Sequence, residues 1–290
     1  MNNDRIQEIL DLMEEARLDY FLISDPQSIA YCTGYYNDPH ERMFVFMVSK
    51  HGNHTLFMND LFYLEHDLGV NIVWHKDGQD AIQTIVNEMH FPGRIGIDKN
   101  WASHFLLDLM KKLPNAKYIN ASPCVDLVRM KKDLQEQVLM IESSKINDAV
   151  MEEIIPFIQE GVSEKQLAKK LDELFFNHHS TCYGAIVAFG KNAADPHHEN
   201  DDTLLRKGNC VLIDMGCVYK GYCSDMTRTF FYGGIREDEM KVYETVKKAN
   251  EAAEAMIKPG VKLSDIDKCA RKVISDESYG QYFTHRLGHF

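Results

Sequence analysis

Residues 210 to 230 read CVLIDMGCVYKGYCSDMTRTF, and they set Asp214 and Asp225 eleven residues apart inside strand-like apolar sequence. Residues 210 to 216 and 222 to 232 are rich in β-branched, aromatic and aliphatic types, with Gly216 and Gly221 as turn residues between them, so the stretch predicts a β-hairpin. With the loop centred on Tyr219 and Lys220, the two aspartates face each other directly. Opposed side chains share one sheet face, with Cβ atoms roughly 5 Å apart. Two carboxylates that close repel each other unless one is protonated or a cation sits between them. A pair of divalent ions, typically ~3.5–4 Å apart in two-metal hydrolases, suits that gap. Arg228 has the opposite parity to Asp225 and reads as an outward or sheet-bracing cation.

Working outward, the chain has 290 residues, 44% of them hydrophobic, enough for two domains with their own cores. Its formal net charge of -12, with the basic residues dispersed, argues against a nucleic-acid surface. Seven cysteines are scattered without any Cys-x-x-Cys pair, which predicts reduced, mostly buried thiols rather than a disulfide framework or a structural zinc site. The N-terminus lacks an apolar signal core, and no segment approaches the ~20 apolar residues of a membrane helix. The expectation is a cytoplasmic protein with no membrane partner.

Residues 5 to 16 carry Ile6, Ile9, Leu10 and Met13 at helical spacing, followed by a short strand at 20 to 24. Strands are expected at 43–49, 54–58, 71–74, 94–97 and 117–119, with helices near 79–90 and 102–112, an α/β alternation. After Pro123 the texture turns long, polar and helical from 133 to 158, so a domain boundary is expected at about residue 125, giving domains 1–125 and 126–290. A second helix starts at Ser163, whose Ser163-x-x-Gln166 spacing is a capping box. A strand at 183–189, the loop 192–200, the acidic hairpin, a helix from about Glu237 to Ile257 and another near Ser264 make this half α+β.

Histidines complete the pattern. His197 and His198 are adjacent in a polar loop before the hairpin and point different ways, which leaves one for function. Thr284-His285-Arg286-Leu287-Gly288-His289-Phe290 adds two imidazoles beside a glycine that permits close backbone approach.

Four motifs, Asn192-Ala-Ala-Asp-Pro-His197, Leu212-Ile-Asp214-Met-Gly216, Gly221-Tyr-Cys-Ser-Asp225-Met-Thr-Arg-Thr-Phe230 and His285-Arg-Leu-Gly-His289, occur in the order found in the pita-bread metallopeptidases. The chain resembles that family, and within it the Xaa-Pro dipeptidases (prolidases) and aminopeptidase P. Leu18 to Pro26 and Ile29 to Tyr35 resemble the creatinase/prolidase N-terminal domain, and Arg129-x-x-Lys132-x-x-x-Glu136 resembles the start of the catalytic domain. The resemblance implies an α/β creatinase/prolidase-like N-terminal domain plus an α+β pita-bread catalytic domain. It implies that Asp214 chelates one metal ion, Asp225 bridges two and His289 binds the other, with Mn²⁺, or Co²⁺ or Zn²⁺, as the ion. It further implies that His197 and His285 line the substrate site, that a dinuclear metal-activated hydroxide cleaves the Xaa-Pro bond of short peptides, and that the protein is a homodimer.

In the family two glutamates complete the metal site, and both follow the Gly-His motif, whereas Phe290 is the last residue here. The resemblance therefore implies a catalytic domain incomplete at the C-terminus, with weak metal binding, little peptidase activity and an unpaired sheet edge. Two other readings stay open: a creatinase-like C–N hydrolase, which does not need the paired aspartates as ligands, and a non-catalytic pita-bread interaction protein. Bound metal stoichiometry separates these from the peptidase. No His-Glu-x-x-His, Gly-x-Ser-x-Gly or phosphate-loop pattern is present.

Overall fold

Tyr20–Ile23 is buried at all four positions, as a strand covered on both faces must be. In the computed structural model, which describes residues 1–90 and 92–288, it is strand β1 of the first of two compact units, residues 1–131 and 132–290. The unit runs α1 (Asn3–Glu15), β1, α2 (Pro26–Thr33), β2 (Val45–Ser49), β3 (Thr55–Asn59), β4 (Asn71–His75), α3 (Ala81–Glu88), β5 (Arg94–Ile97), α4 (Ser103–Lys112), β6 (Lys117–Asn120) and α5 (Ser122–Met130). The sheet order is β4-β3-β2-β1-β5-β6, with β1 antiparallel to β2 and parallel to β5. Alternation along β1 splits the core in two. Phe21 and Ile23 pack with Ile6, Ile9 and Met13 of α1 and with Val125 and Val128 of α5, while Tyr20 and Leu22 pack with Ile82, Ile85 and Leu109 of α3 and α4. The boundary expected near residue 125 thus falls inside α5, and the division comes at Lys131 instead.

The second unit opens with α6 (Leu134–Ile154), started by a capping box between Asp133 and Glu136. After a 3-10 turn follow α7 (Glu164–Asn177), β7 (Thr181–Cys182), β8 (Ile186–Phe189), β9 (Asn209–Met215), β10 (Cys217–Tyr219), β11 (Tyr222–Cys223), β12 (Met226–Tyr232), α8 (Glu237–Glu254) and α9 (Leu263–Asp276). The capping box read at Ser163 is formed, with Ser163 Oγ accepting from the Gln166 N–H at 3.2 Å. Two antiparallel sheets result, ordered β12-β9-β8 and β11-β10-β7. Val150, Ile154, Leu167, Leu171 and Phe175 of α6 and α7 lie over Val187, Val211, Ile213 and Met215, and this layer is the unit's main core. The seven cysteines are free, Cys32, Cys124 and Cys217 being buried, and burial pushes the Cys32 thiol up to about 12. Among the described residues no helix is long and apolar enough to cross a membrane.

Candidate active site

Tyr219 pairs with Tyr222 across Lys220 and Gly221, whose φ angles of 49° and 84° are both left-handed. A two-residue turn of that kind matches the twist of its strands. The hairpin therefore pivots one residue later than expected, and β9 pairs with β12 so that Asp214 faces Thr227, not Asp225. The direct opposition of the two aspartates read from their spacing is thus corrected. Asp225 lies between β11 and β12, two residues before Thr227, and becomes a diagonal neighbour of Asp214, a placement that separates residues by roughly 7–8 Å. The slip is by two residues, so facing is preserved, whereas a slip by one would have turned one carboxylate away. Ile213, Met215, Cys217 and Ser224 are buried, while Asp214 is half-buried and Asp225 exposed. Arg228 is exposed, its Nη1 donating to the Thr227 carbonyl at 2.9 Å.

Gly216, expected as a turn residue, serves close approach instead. A Cβ there would lie 2.1 Å from the Tyr183 hydroxyl and 2.2 Å from the Ser224 carbonyl oxygen. The absent side chain lets Tyr183 Oη donate to Ser224 O at 2.5 Å, beside the aspartates. Burial, then the charges of Asp225, Cys223 and Asp214, push the Tyr183 phenol up to about 12, which keeps its proton on the oxygen at neutral pH. Thr227 Oγ1 donates to Asp214 Oδ1 at 2.7 Å and fixes that carboxylate. Among the described residues no Lys or Arg forms an ion pair with Asp214. Asp214 and Asp225, both acting electrostatically on the Tyr183 phenol and the first held by the Thr227 hydroxyl, offer hard carboxylate oxygens of the kind that suit divalent cations. His289 lies outside the described residues.

The two loop histidines diverge as their adjacency requires. His197 is exposed, its backbone N–H donating to Asp195 Oδ1 at 3.0 Å. His198 turns inward, with Nε2 2.6 Å from Glu164 Oε2. His285 sits beyond α9, exposed, its ring edge-on to Phe283 at 5.1 Å and its carbonyl accepting from Arg271 Nη2 at 2.9 Å. The fold brings Asp214, Asp225, Thr227 and Tyr183 together, and among the described residues no hydrogen bond or ring contact joins His197 or His285 to them. Tyr183, Thr227 and Glu164 were not among the site residues expected from the sequence, although Tyr183 opens an expected strand and Thr227 lies within a quoted motif. Only Glu164 had a local signal, as the residue directly after the Ser163 cap. Among the described residues, Glu164, His198 and Asp201 are also grouped closely enough to offer three metal-ligand atoms within 4.8 Å of one another. Both Glu164 oxygens, however, already take two nitrogen donors each.

Comparison with known proteins agrees with this architecture. Residues 138–290 match metallopeptidase family M24, and residues 5–131 match the creatinase/prolidase N-terminal domain. A Staphylococcus aureus protein named an uncharacterized peptidase is 30% identical over 98% of this chain and 82% of its own length. A dipeptidase from Pyrococcus horikoshii is 34% identical with a TM-score of 0.87, covering 98% of this chain and 81% of that one. The Xaa-Pro dipeptidase from Bacillus anthracis is 26% identical with a TM-score of 0.87, covering 99% and 81%.

Proposed function

Because the chain belongs to metallopeptidase family M24, we propose that it hydrolyses the Xaa-Pro bond of short peptides with two divalent ions, Mn²⁺ first among them, held by Asp214, Asp225 and His289. The observation that carries the reading is Asp214 on β9, held by Thr227, with Asp225 directly before β12 and both carboxylates acting on the Tyr183 phenol. The similarity to the Bacillus anthracis enzyme supports the prolyl preference. Divalent ions bound there would lower the pKa of a water molecule and polarise the scissile carbonyl, both needed because an amide is a poor electrophile and neutral water a poor nucleophile. Thr227 holds Asp214 in one rotamer, and Tyr183 keeps a protonated hydroxyl against the Ser224 carbonyl, so the ligand loop enters at a fixed angle. His197 and His285 supply N–H donors to the substrate carbonyl as its oxygen gains charge. Proline at the second position removes the N–H that an ordinary peptide would present, so these donors and the carbonyl become the polar handles.

The full chain, stripped with a chelator and titrated with Mn²⁺, tests this. Metal should bind and Xaa-Pro dipeptides should be cleaved faster than Xaa-Ala, with Asp214→Asn and Asp225→Asn each losing about 100-fold or more in metal affinity or turnover. Wild-type Mn²⁺ affinity in both variants would overturn the assignment.

A further inference from the structure

The buried group around Glu164 has no part in that mechanism, yet it organises the loop that carries His197. Glu164 is 0% exposed, and a carboxylate so far from water must be compensated by donors. Phe189 N–H and Asn192 Nδ2 donate to Oε1 at 2.8 and 3.0 Å. His198 Nε2 and the Asp201 N–H meet Oε2 at 2.6 and 3.1 Å. These partners come from the end of β8, the following 3-10 turn, the position next to His197 and the far end of the loop. A single carboxylate thus ties both ends and the middle of residues 189–201 to the first turn of α7, where a negative side chain is favoured by the helix dipole.

The turn between these ties fixes His197 itself. His198 N–H donates to Asp195 O at 3.2 Å, closing a turn with Pro196 and His197 at its two central positions. Proline suits the first of these, and the Asp195 side chain, accepting from the His197 N–H at 3.0 Å, braces the second. With His198 anchored inward, His197 is left at the corner of the turn, facing out.

We propose that Glu164, acting through His198, is a positioning residue that presents His197 to substrate. The inference rests on the peptidase reading for what His197 does, and on the geometry above for how the loop is held.

A double-mutant cycle on the full Mn²⁺-loaded chain tests it. Glu164→Gln puts an amide nitrogen against N–H donors, and kcat for an Xaa-Pro dipeptide should fall about tenfold or more with KM changed less than about threefold, as expected for a misplaced group. In a His197→Ala background the same substitution should cost less than about threefold, because the residue it positions is gone. Hydrogen exchange of residues 190–201 should accelerate in Glu164→Gln while β9 stays protected. His198→Ala retains three of the four donors and gives the same pattern should Glu164→Gln fail to fold. Equal losses in both backgrounds, or unchanged exchange in the loop, would overturn the proposal. If wild-type chain cleaves no Xaa-Pro peptide, the peptidase reading fails separately, and the exchange measurement alone then decides whether Glu164 holds the loop.

Discussion

A methyl group at Gly216 meets the Tyr183 hydroxyl on one side and a backbone oxygen on the other, and neither is the free end of a flexible side chain. Overpacking of this kind costs ~1–3 kcal/mol. Gly216→Ala should therefore lower the melting temperature and weaken Mn²⁺ binding together, since the displaced Tyr183 and Ser224 flank Asp225. A calorimetric melt and a metal titration check this, and loss of one property without the other would count against it. In the first unit Asp19 makes a different test. Burial raises its pKa, but the Lys50 ammonium and the N–H groups of Arg94 and Gly93 outweigh burial, so the net shift is downward. A carboxylate depressed in the folded state stabilises above its unfolded pKa of about 4 and loses that contribution as pH falls through the lower folded value. Asp19→Asn should accordingly be less stable than wild type at pH 7, with the gap in urea midpoint closing as the pH drops below 4. A gap independent of pH would assign the effect to packing. At this scale the sequence marked Asp214 and Asp225 by their polarity within apolar strands, but Tyr183 carried no such mark, being one aromatic among thirteen tyrosines.

The hairpin shows what an element's sequence leaves open. Tyr-Lys-Gly-Tyr permits a pivot at Tyr219–Lys220 or at Lys220–Gly221, and the conformation of Gly221 decides: a left-handed second turn residue is cheap only for glycine and a few polar residues. Gly221→Ala should cost about 1 kcal/mol through that left-handed backbone, read as a lower urea midpoint with an unchanged slope. Removal of the cap in Ser163→Ala should likewise cost about 1 kcal/mol, and it should also loosen the first turn of α7, which bears Glu164. The long helices α6 and α8 were expected from the sequence, α6 from its long polar texture. The helices α2 and α5, eight and nine residues long, were not recognised, because so short a stretch shows little more than two turns of pattern. For α2 the signals were nonetheless present, Asp25 capping, Pro26 in the first turn and Gly34 ending it left-handed.

On the scale of the molecule, the two units carry separate cores. Every buried residue of the first unit's two clusters lies between Ile6 and Val128, and those of the second between Val150 and Ile274. Residues 1–131 expressed alone should therefore fold cooperatively, with helix and strand circular dichroism and a single melt; a molten, non-cooperative product would show that the first unit depends on the second. The sequence by itself determined the family, the order of the strands in the first unit, and the place of Asp214 on the less buried face of its strand, because motif and strand pattern are written in neighbouring residues. Only the tertiary structure decided that Asp214 faces Thr227, that Tyr183 reaches across to Ser224 through the space left by Gly216, and that Glu164 gathers the His197 loop. These contacts join residues far apart in the chain, and their geometry follows from register and packing, which no local periodicity encodes.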